Sequence, residues 1–445
     1  MAGRAPGSGA FRFGFGLVMG VVDVKPTGWR MRENRGSPLV NEETANKTFL
    51  EGTHRTIAPD RTIARMEPLL PAFGITRVAN LTGLDRIGVP VIMVCRPNAR
   101  SSAVFHGKGL DVAAAKASGI MEAIETWHAE HTRLSLRLAS LAELRRSENV
   151  ADARRLPLTV GSRFDDDLPI LWVEGDDLIG DERMWVPFET VHMDATLREA
   201  SGAGCFAAST NGLASGNHLL EATSHALCEV IERDATTLWR CRRPSRRDGM
   251  RLDLATVNDE ACRFVLAHLR EAELDVAVWD VTTDVGVPAF QCLVLDRTGE
   301  IGHLGQGSGC HPASEIALLR ALTEAVQVRT TYIVGSREDI RHDDYLRETL
   351  DARRTNAQFL MRAVEPMRDF STLPSYVFED LSIEVDWILG RLGSSGIRQA
   401  VAVDLTRPEF AVPVMRVVVP GLEGSDHLPD YTPGERARAA EHEPQ

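Results

Sequence analysis

Between Ser209 and Arg233 the chain reads STNGLASGNHLLEATSHALCEVIER. Wound as a helix from about His218, this stretch brings Glu221, His225, Glu229 and Glu232 within a sector of about 80°. Ala222, Ala226, Leu227, Val230 and Ile231 take the opposite side, as core residues do. No Lys or Arg lies between Ser209 and Glu232 to neutralise the three carboxylates. Like charges three and four residues apart cost about a few tenths of a kcal/mol per pair, so something outside the helix must offset them. A divalent cation is the simplest candidate, and a solvated acidic face is the plain alternative. Ser209, Thr210, Asn211, Gly212, Ser215, Gly216 and Asn217 argue for the cation, because small polar and glycine residues expose backbone N–H groups to an anion.

A second unit repeats the pattern. The FHGKG run from Phe105 to Gly109 precedes an alanine-rich helix expected over Asp111 to Glu130. Ser118, Glu122 and Glu125 share one face of that helix. Lys108 sits about a turn ahead, placed either to reach a phosphate as a point charge or to stand in solvent. A third unit has the glycine-rich run Gly302 to Gly309, read as a loop. A helix follows over about Pro312 to Tyr332, with Glu324, Gln327 and Arg329. Upstream, Arg55 and Thr62 flank a helix start at Pro59 and Asp60. Carboxylates on two helices with loop oxygens suit Mg²⁺, which takes a few carboxylates together with phosphate oxygens and water. Lys108, Arg233, Arg55 and Arg329 are placed to balance the remaining negative charge. No Walker A loop or kinase glycine loop is present, so the residues suggest an unusual nucleotide site.

These helices sit in a chain of 445 residues, long enough for a large core. Hydrophobic content of 43% and charged content of 25% are ordinary for a globular protein. The net charge of −13 argues against a general nucleic-acid binder. Seven scattered cysteines without a C-x-x-C pair argue for reduced thiols, as in a cytoplasmic protein, rather than a disulfide framework or structural zinc. No apolar run is long enough for a membrane span. β-branched runs predict strands over Ile75 to Val94, Leu168 to Leu178, Met184 to Val191, Asp275 to Asp296, Ile397 to Asp404 and Val412 to Val419. Residues 1–46 are expected to be a poorly ordered lead and 426–445 a loose tail. Between them no composition break divides residues 47–425. The fold class expected is therefore one large mixed α+β domain with helices packed on β-sheets.

GKG-(x)8-S-(x)3-E-(x)2-E, then SxNGLASGN-(x)3-E-(x)7-E-(x)2-ER, then E-(x)2-Q-x-R resemble the signature of the YcaO superfamily. The resemblance spans about Thr48 to Gly424. The early GTHR-(x)6-T and GITRVANLTGLD-x-IGVPV segments look like members that work with a TfuA partner. The resemblance implies a YcaO fold and ATP- and Mg²⁺-dependent phosphorylation of a peptide-backbone amide oxygen. Attack by a neighbouring Cys, Ser or Thr then gives an azoline, and an external sulfide gives a thioamide. It also implies metal ligation by Glu122, Glu125, Glu229 and Glu232. Nucleotide contacts would come from Ser118, Asn217, Glu221 and Arg233, with Arg55, Thr62 and Lys108 toward phosphate or ribose and Arg329 near the phosphates. The catalytic set would be Glu229, Glu232, Arg233 and Arg329. Arg55 stands where other members have Lys. Azoline-forming members often end in a proline-rich tail, whereas this chain ends at His442 to Gln445 without one. No fused leader-binding domain is expected from the sequence either. Both features favour thioamide formation on a peptide or protein substrate, with a separate TfuA-type or peptide-recognition partner and a homodimeric enzyme. An azoline-forming cyclodehydratase and a non-catalytic accessory protein are the alternatives.

Overall fold

A computed structural model of the chain describes residues 45–197, 204–297, 303–362, 365, 367–424 and 431–443. The poorly ordered lead expected over 1–46 lies outside these residues, except for Ala45 and Asn46.

The first unit begins with helix α1 (Pro59–Met66), whose proline in the first turn presets the helical φ. Strands β1 (Arg77–Asn80), β2 (Val91–Cys95) and β3 (Val104–Lys108) follow as an antiparallel sheet. Helix α2 (Val112–Glu130) then lies across them, started by Asp111 accepting from the Ala114 N–H at 2.7 Å. Lys108 is the last residue of β3. A Cβ at Gly107 would meet the Ala115 carbonyl oxygen at 2.0 Å, so glycine there lets β3 lie directly on α2.

The middle of the chain holds β4 (Leu136–Ala139), α3 (Leu141–Leu144), β5 (Ile170–Asp177), β6 (Glu182–Pro187) and β7 (Leu213–Ser215). Helix α4 (Leu219–Cys241) follows, with His218 at its N-cap. Short α5 (Pro244–Asp248) and β8 (Leu252–Asp253) lead to α6 (Glu260–Glu271).

A second three-stranded antiparallel unit then forms from β9 (Leu274–Asp280), β10 (Ala289–Asp296) and β11 (Gly305–Cys310), covered by α7 (Ser314–Val334). It repeats the strand–strand–strand–helix order of the first unit. Of the run Gly302 to Gly309 expected as a glycine loop, Gly305 to Gly309 lie in strand β11 and Gly302 lies outside the described residues. A Cβ at Gly307 would meet the Ala321 carbonyl oxygen at 2.2 Å, so its glycines serve close strand–helix packing and not loop freedom.

Helix α8 (Arg347–Met361), β12 (Arg368–Asp369), α9 (Leu381–Ser394), β13 (Val401–Asp404), β14 (Val414–Val418) and α10 (Glu435–Glu441) complete the chain. The largest sheet runs β4-β5-β13-β14-β7, with β6 on β5. Of the tail expected to be loose over 426–445, residues 426–430 and 444–445 lie outside the described residues, and part of 431–443 is packed. Ala437 and Ala440 of α10 are buried against Leu238 of α4, and the Arg436 guanidinium makes two 2.9 Å hydrogen bonds to Asp234.

Helix α4 is the central element. Its Ala222, Leu227, Ile231 and Ala235 pack in one core with Met415 and Val417 of β14 and Ile388 of α9. Its remaining face is turned toward α2 and α7. The result is the mixed α+β domain expected, with glutamates of α2, α4 and α7 close enough to act on one another's charge. Among the described residues no helix is long and apolar enough to cross a membrane.

Candidate active site

The carboxylates of α2 and α4 converge. The Glu125 carboxylate accepts from the Ser215 N–H at 2.9 Å and from its hydroxyl at 3.0 Å, which ties α2 to β7. Burial raises its pKa well above the usual carboxylate range, and the nearby charges of Glu122 and Glu229 raise it further. Burial also pushes Glu122 and Glu229 up to about 7. Burial raises Glu232 as well, with Glu324 of α7 adding to the rise. Glu232 is held by the Ser308 hydroxyl of β11 at 2.7 Å.

The cations Arg233, Lys108, Arg337 and Arg416 oppose this charge. Arg233 lies 3.4 Å from Glu229 and 3.6 Å from Glu232, and Lys108 lies 3.0 Å from Glu324. Burial works against the Arg233 charge, yet Glu232, Glu229 and Glu324 hold its pKa above the usual value. Neither Glu122 nor Glu125 forms an ion pair among the described residues. Neighbouring carboxylates gathered from two helices are the donor set that a hard divalent ion satisfies. The chain's residues therefore fit Mg²⁺.

This electrostatics has a direct consequence for the metal-free protein. A glutamate released from the fold titrates near 4.5, whereas folded Glu122 and Glu229 keep their protons to about 7. Between those values the folded state binds more protons than the unfolded state, so these groups lower stability as pH rises through the window. Glu122→Gln should therefore leave the metal-free melting temperature nearly unchanged at pH 4.5 and raise it increasingly toward pH 7.5. Thermal melts in chelator across that range check the slope.

A second polar group is built around Glu221, buried in the first turn of α4. It accepts from the Thr56 N–H and hydroxyl, each at 2.8 Å, from the Asn217 N–H at 3.2 Å, and from Arg55 at 3.2 Å. Thr62 of α1 lies 3.2 Å from the Asn217 side chain. Ser118, half-buried, sits one turn before Glu122 on α2. Glu221 and Glu229 are eight residues apart, about 12 Å along the helix axis. Helix α4 thus has a polar end suited to a sugar and an acidic stretch suited to a cation, separated by a distance on the scale of a nucleotide. His225 lies between them, kept neutral by burial and by the charges of Arg320, Arg55 and Lys108.

Arg329 departs from expectation. Five residues beyond Glu324, it is turned about 140° around the helix from it. Its guanidinium lies 3.1 Å from Asp296 and donates to the His303 carbonyl at 3.0 Å, almost fully buried on the far side of α7. The structure does not bring it to the acidic cluster. Gln327, its neighbour in the motif, donates to the His106 carbonyl at 2.8 Å and fastens α7 to β3.

A group that the sequence reading missed anchors the segment delivering Arg55 and Thr56. Lys47 is buried against Glu384 of α9, beside His54, and Ser224 of α4 donates to the same carboxylate at 2.6 Å. Asn46 bridges to Asp380. His54, His311 and Glu384 lie together as metal ligands would. However, the Lys47 ammonium already serves as their cation, and His311 Nδ1 accepts from the Ala313 N–H at 3.0 Å. A neutral His311 so fixed carries its proton on Nε2, the atom facing Glu384, and cannot ligate through it. The cluster is a pin for the strap of residues 45–58. Isolated residues more than 300 positions apart leave no local pattern to find.

The chain belongs to the YcaO family. The family model for YcaO cyclodehydratases, described as ATP- and Mg²⁺-binding, matches residues 106–423. More particularly, the chain is 37% identical over 382 residues to a protein from the tfuA 3′ region of Rhizobium leguminosarum bv. trifolii, covering 83% of this chain and 88% of that protein. A Methanothermobacter thermautotrophicus protein is 35% identical over 382 residues, covering 83% and 95%. Among solved structures, a heterocyclase in complex with substrate and cofactor superposes with a TM-score of 0.73 at 23% identity, over 88% of this chain and 55% of that one. The YcaO protein of Methanopyrus kandleri bound with AMPPCP and Mg²⁺ superposes with a TM-score of 0.67 at 22% identity, over 85% and 95%. These two likenesses concern the fold.

Proposed function

We propose that this protein uses ATP and Mg²⁺ to activate a backbone amide of a ribosomally made peptide or protein, and that the product is a thioamide made with a TfuA-type partner in the cytoplasm. The observation that carries the reading is the convergence of the α2 and α4 carboxylates, together with the Glu221–Asn217–Thr62 network at the start of α4.

When bound, Mg·ATP supplies the phosphoryl group that turns a poor amide electrophile into one with a phosphate leaving group. The chain's own residues do the positioning. Glu122, Glu125, Glu229 and Glu232 hold the cation. Arg233 and Lys108 face developing phosphate charge. Glu221 and Asn217 orient the sugar end, with Arg55, Thr62 and Ser118 as further contacts. The buried walls limit access of water to the activated amide. Homodimerisation belongs to the same proposal.

The tfuA-region location of the Rhizobium relative favours thioamidation. The superposition on a heterocyclase favours azoline formation as the second reading. Full retention of the acidic set speaks against a non-catalytic accessory role. Intact-mass spectrometry of candidate peptides encoded beside the gene, incubated with ATP, Mg²⁺, a sulfide source and a TfuA-type protein, tests the choice. The mass change of sulfur replacing oxygen is expected. Loss of one water would instead establish the azoline reading, and no ATP-dependent change on any neighbouring peptide would contradict both.

A further inference from the structure

We propose that Glu384 of α9, acting through Lys47, is a positioning residue for the nucleotide: it fixes where the strap of residues 45–58 presents Arg55 and Thr56 to Glu221. This rests on the nucleotide-binding part of the reading above and adds to it a residue outside the site.

The strap is held chiefly by polar contacts. It folds back on itself through a bridge between Phe49 and Arg55, with backbone hydrogen bonds of 2.9 and 3.1 Å. The Thr48 hydroxyl adds a bond to the Thr56 carbonyl at 2.6 Å. So short a hairpin is marginal by itself in water and needs outside partners. Apolar packing supplies few of them. Among the described residues, Phe49, Leu50 and Ile57 belong to none of the apolar cores. The turn rests on the body at Gly52, where a Cβ would meet Leu110 Cδ1 at 2.4 Å.

The polar contacts fall in two groups, and Glu384 joins them. At the root, the Lys47 N–H donates to the Glu379 carbonyl at 2.8 Å and the Leu381 N–H to the Ala45 carbonyl at 3.0 Å, which lays the strap along the entry to α9. At the far end, Thr56 and Arg55 meet Glu221 of α4. One Glu384 oxygen takes the Lys47 ammonium, and the other accepts from the Ser224 hydroxyl at 2.6 Å. Ser224 is three residues after Glu221, within one turn of α4. That turn therefore receives the strap twice, directly through Glu221 and indirectly through Glu384. The Lys47 ammonium also lies 3.4 Å from His54 Nδ1, so it touches both arms of the hairpin next to Arg55.

Both members of the Lys47–Glu384 pair are buried. Such a pair is a weak source of stability, because apolar residues of similar volume often serve as well. What it supplies here is one geometry, since a buried charge that slides away from its partner is left uncompensated. The geometry it selects is that of Arg55 and Thr56 against the sugar end of α4.

Calorimetric titration of the full chain with Mg²⁺ and AMPPCP tests this. Lys47→Met combined with Glu384→Gln removes both charges at similar volume and keeps an acceptor for Ser224. Its melting temperature should stay close to that of the parent, whereas AMPPCP binding should weaken about tenfold. Placed in an Arg55→Ala chain, the same two substitutions should weaken binding by less than about threefold more, because a residue through which they act is gone. Unchanged AMPPCP affinity in the folded variant would overturn the proposal. So would equal losses in the two backgrounds, which general structural damage would give. Should that variant fail to fold, Ser224→Ala reads the same quantity: removing one neutral hydrogen bond to Glu384 should weaken AMPPCP about threefold, and unchanged affinity would overturn the proposal. A parent chain that does not bind AMPPCP would overturn the functional reading itself.

Discussion

Glu229→Gln is expected to lower ATP turnover by about 10²–10³-fold, the loss that follows removal of one charged group from a preorganised site. The Glu229 charge acts on Glu125 of α2, and Glu229 also faces Arg233 at 3.4 Å. The amide keeps the size and much of the hydrogen bonding of the side chain but removes one anionic oxygen donor from the cation. The fold should not suffer. In the metal-free protein at neutral pH, Glu229 adds a like charge to a crowded cluster, so its neutralisation should hold or raise the melting temperature. A coupled ADP-release assay with saturating Mg·ATP, paired with thermal melts in chelator, reads both signs at once. Loss of turnover without loss of stability marks a cation ligand. Loss of both in proportion would mark a structural residue.

Arg329→Met should do the reverse. The Arg329–Asp296 pair is about 1% exposed on both sides, with the His303 carbonyl completing it. Removing one member of a buried pair costs about 3–5 kcal/mol because the partner charge stays desolvated. Arg86, half-exposed, lies 3.2 Å from Asp296 and keeps part of the compensation, which places the loss near the lower end, about 3 kcal/mol. Chemical denaturation measures it. Turnover per folded molecule should remain within about threefold of the parent, because the guanidinium lies on the far side of α7 from Glu324. A stable Arg329→Met protein with abolished turnover would return Arg329 to the active site.

The contrast between these two residues shows what the sequence exposed and what it hid. Helices α2, α4 and α7 were legible because their apolar and acidic residues recur at helical spacing. The paired glutamates were legible because an i, i+3 acid pair without a neighbouring cation is an electrostatic anomaly visible in one dimension. Arg329 was misplaced although the same helix geometry argues against it, since five residues from Glu324 is well over a quarter-turn away. The Gly302 to Gly309 run reads as a loop because glycine normally weakens strands. Its glycines are explained by α7 lying on them, a partner that no local pattern announces. The Lys47–Glu384 pin depends on contacts between distant segments and leaves no periodicity to read. Helix α10 was missed because its weak amphipathic pattern gains order from Leu238 and Asp234 of α4.

A crystal of the protein grown with Mn²⁺ and AMPPCP, with anomalous data collected at the manganese edge, tests the central claim most directly. Manganese peaks bonded to carboxylate oxygens of Glu122, Glu125, Glu229 and Glu232, with the nucleotide sugar at Glu221 and Asn217, are predicted. Manganese or nucleotide seated away from these side chains, with the four glutamates left in the pairings described above, would contradict it.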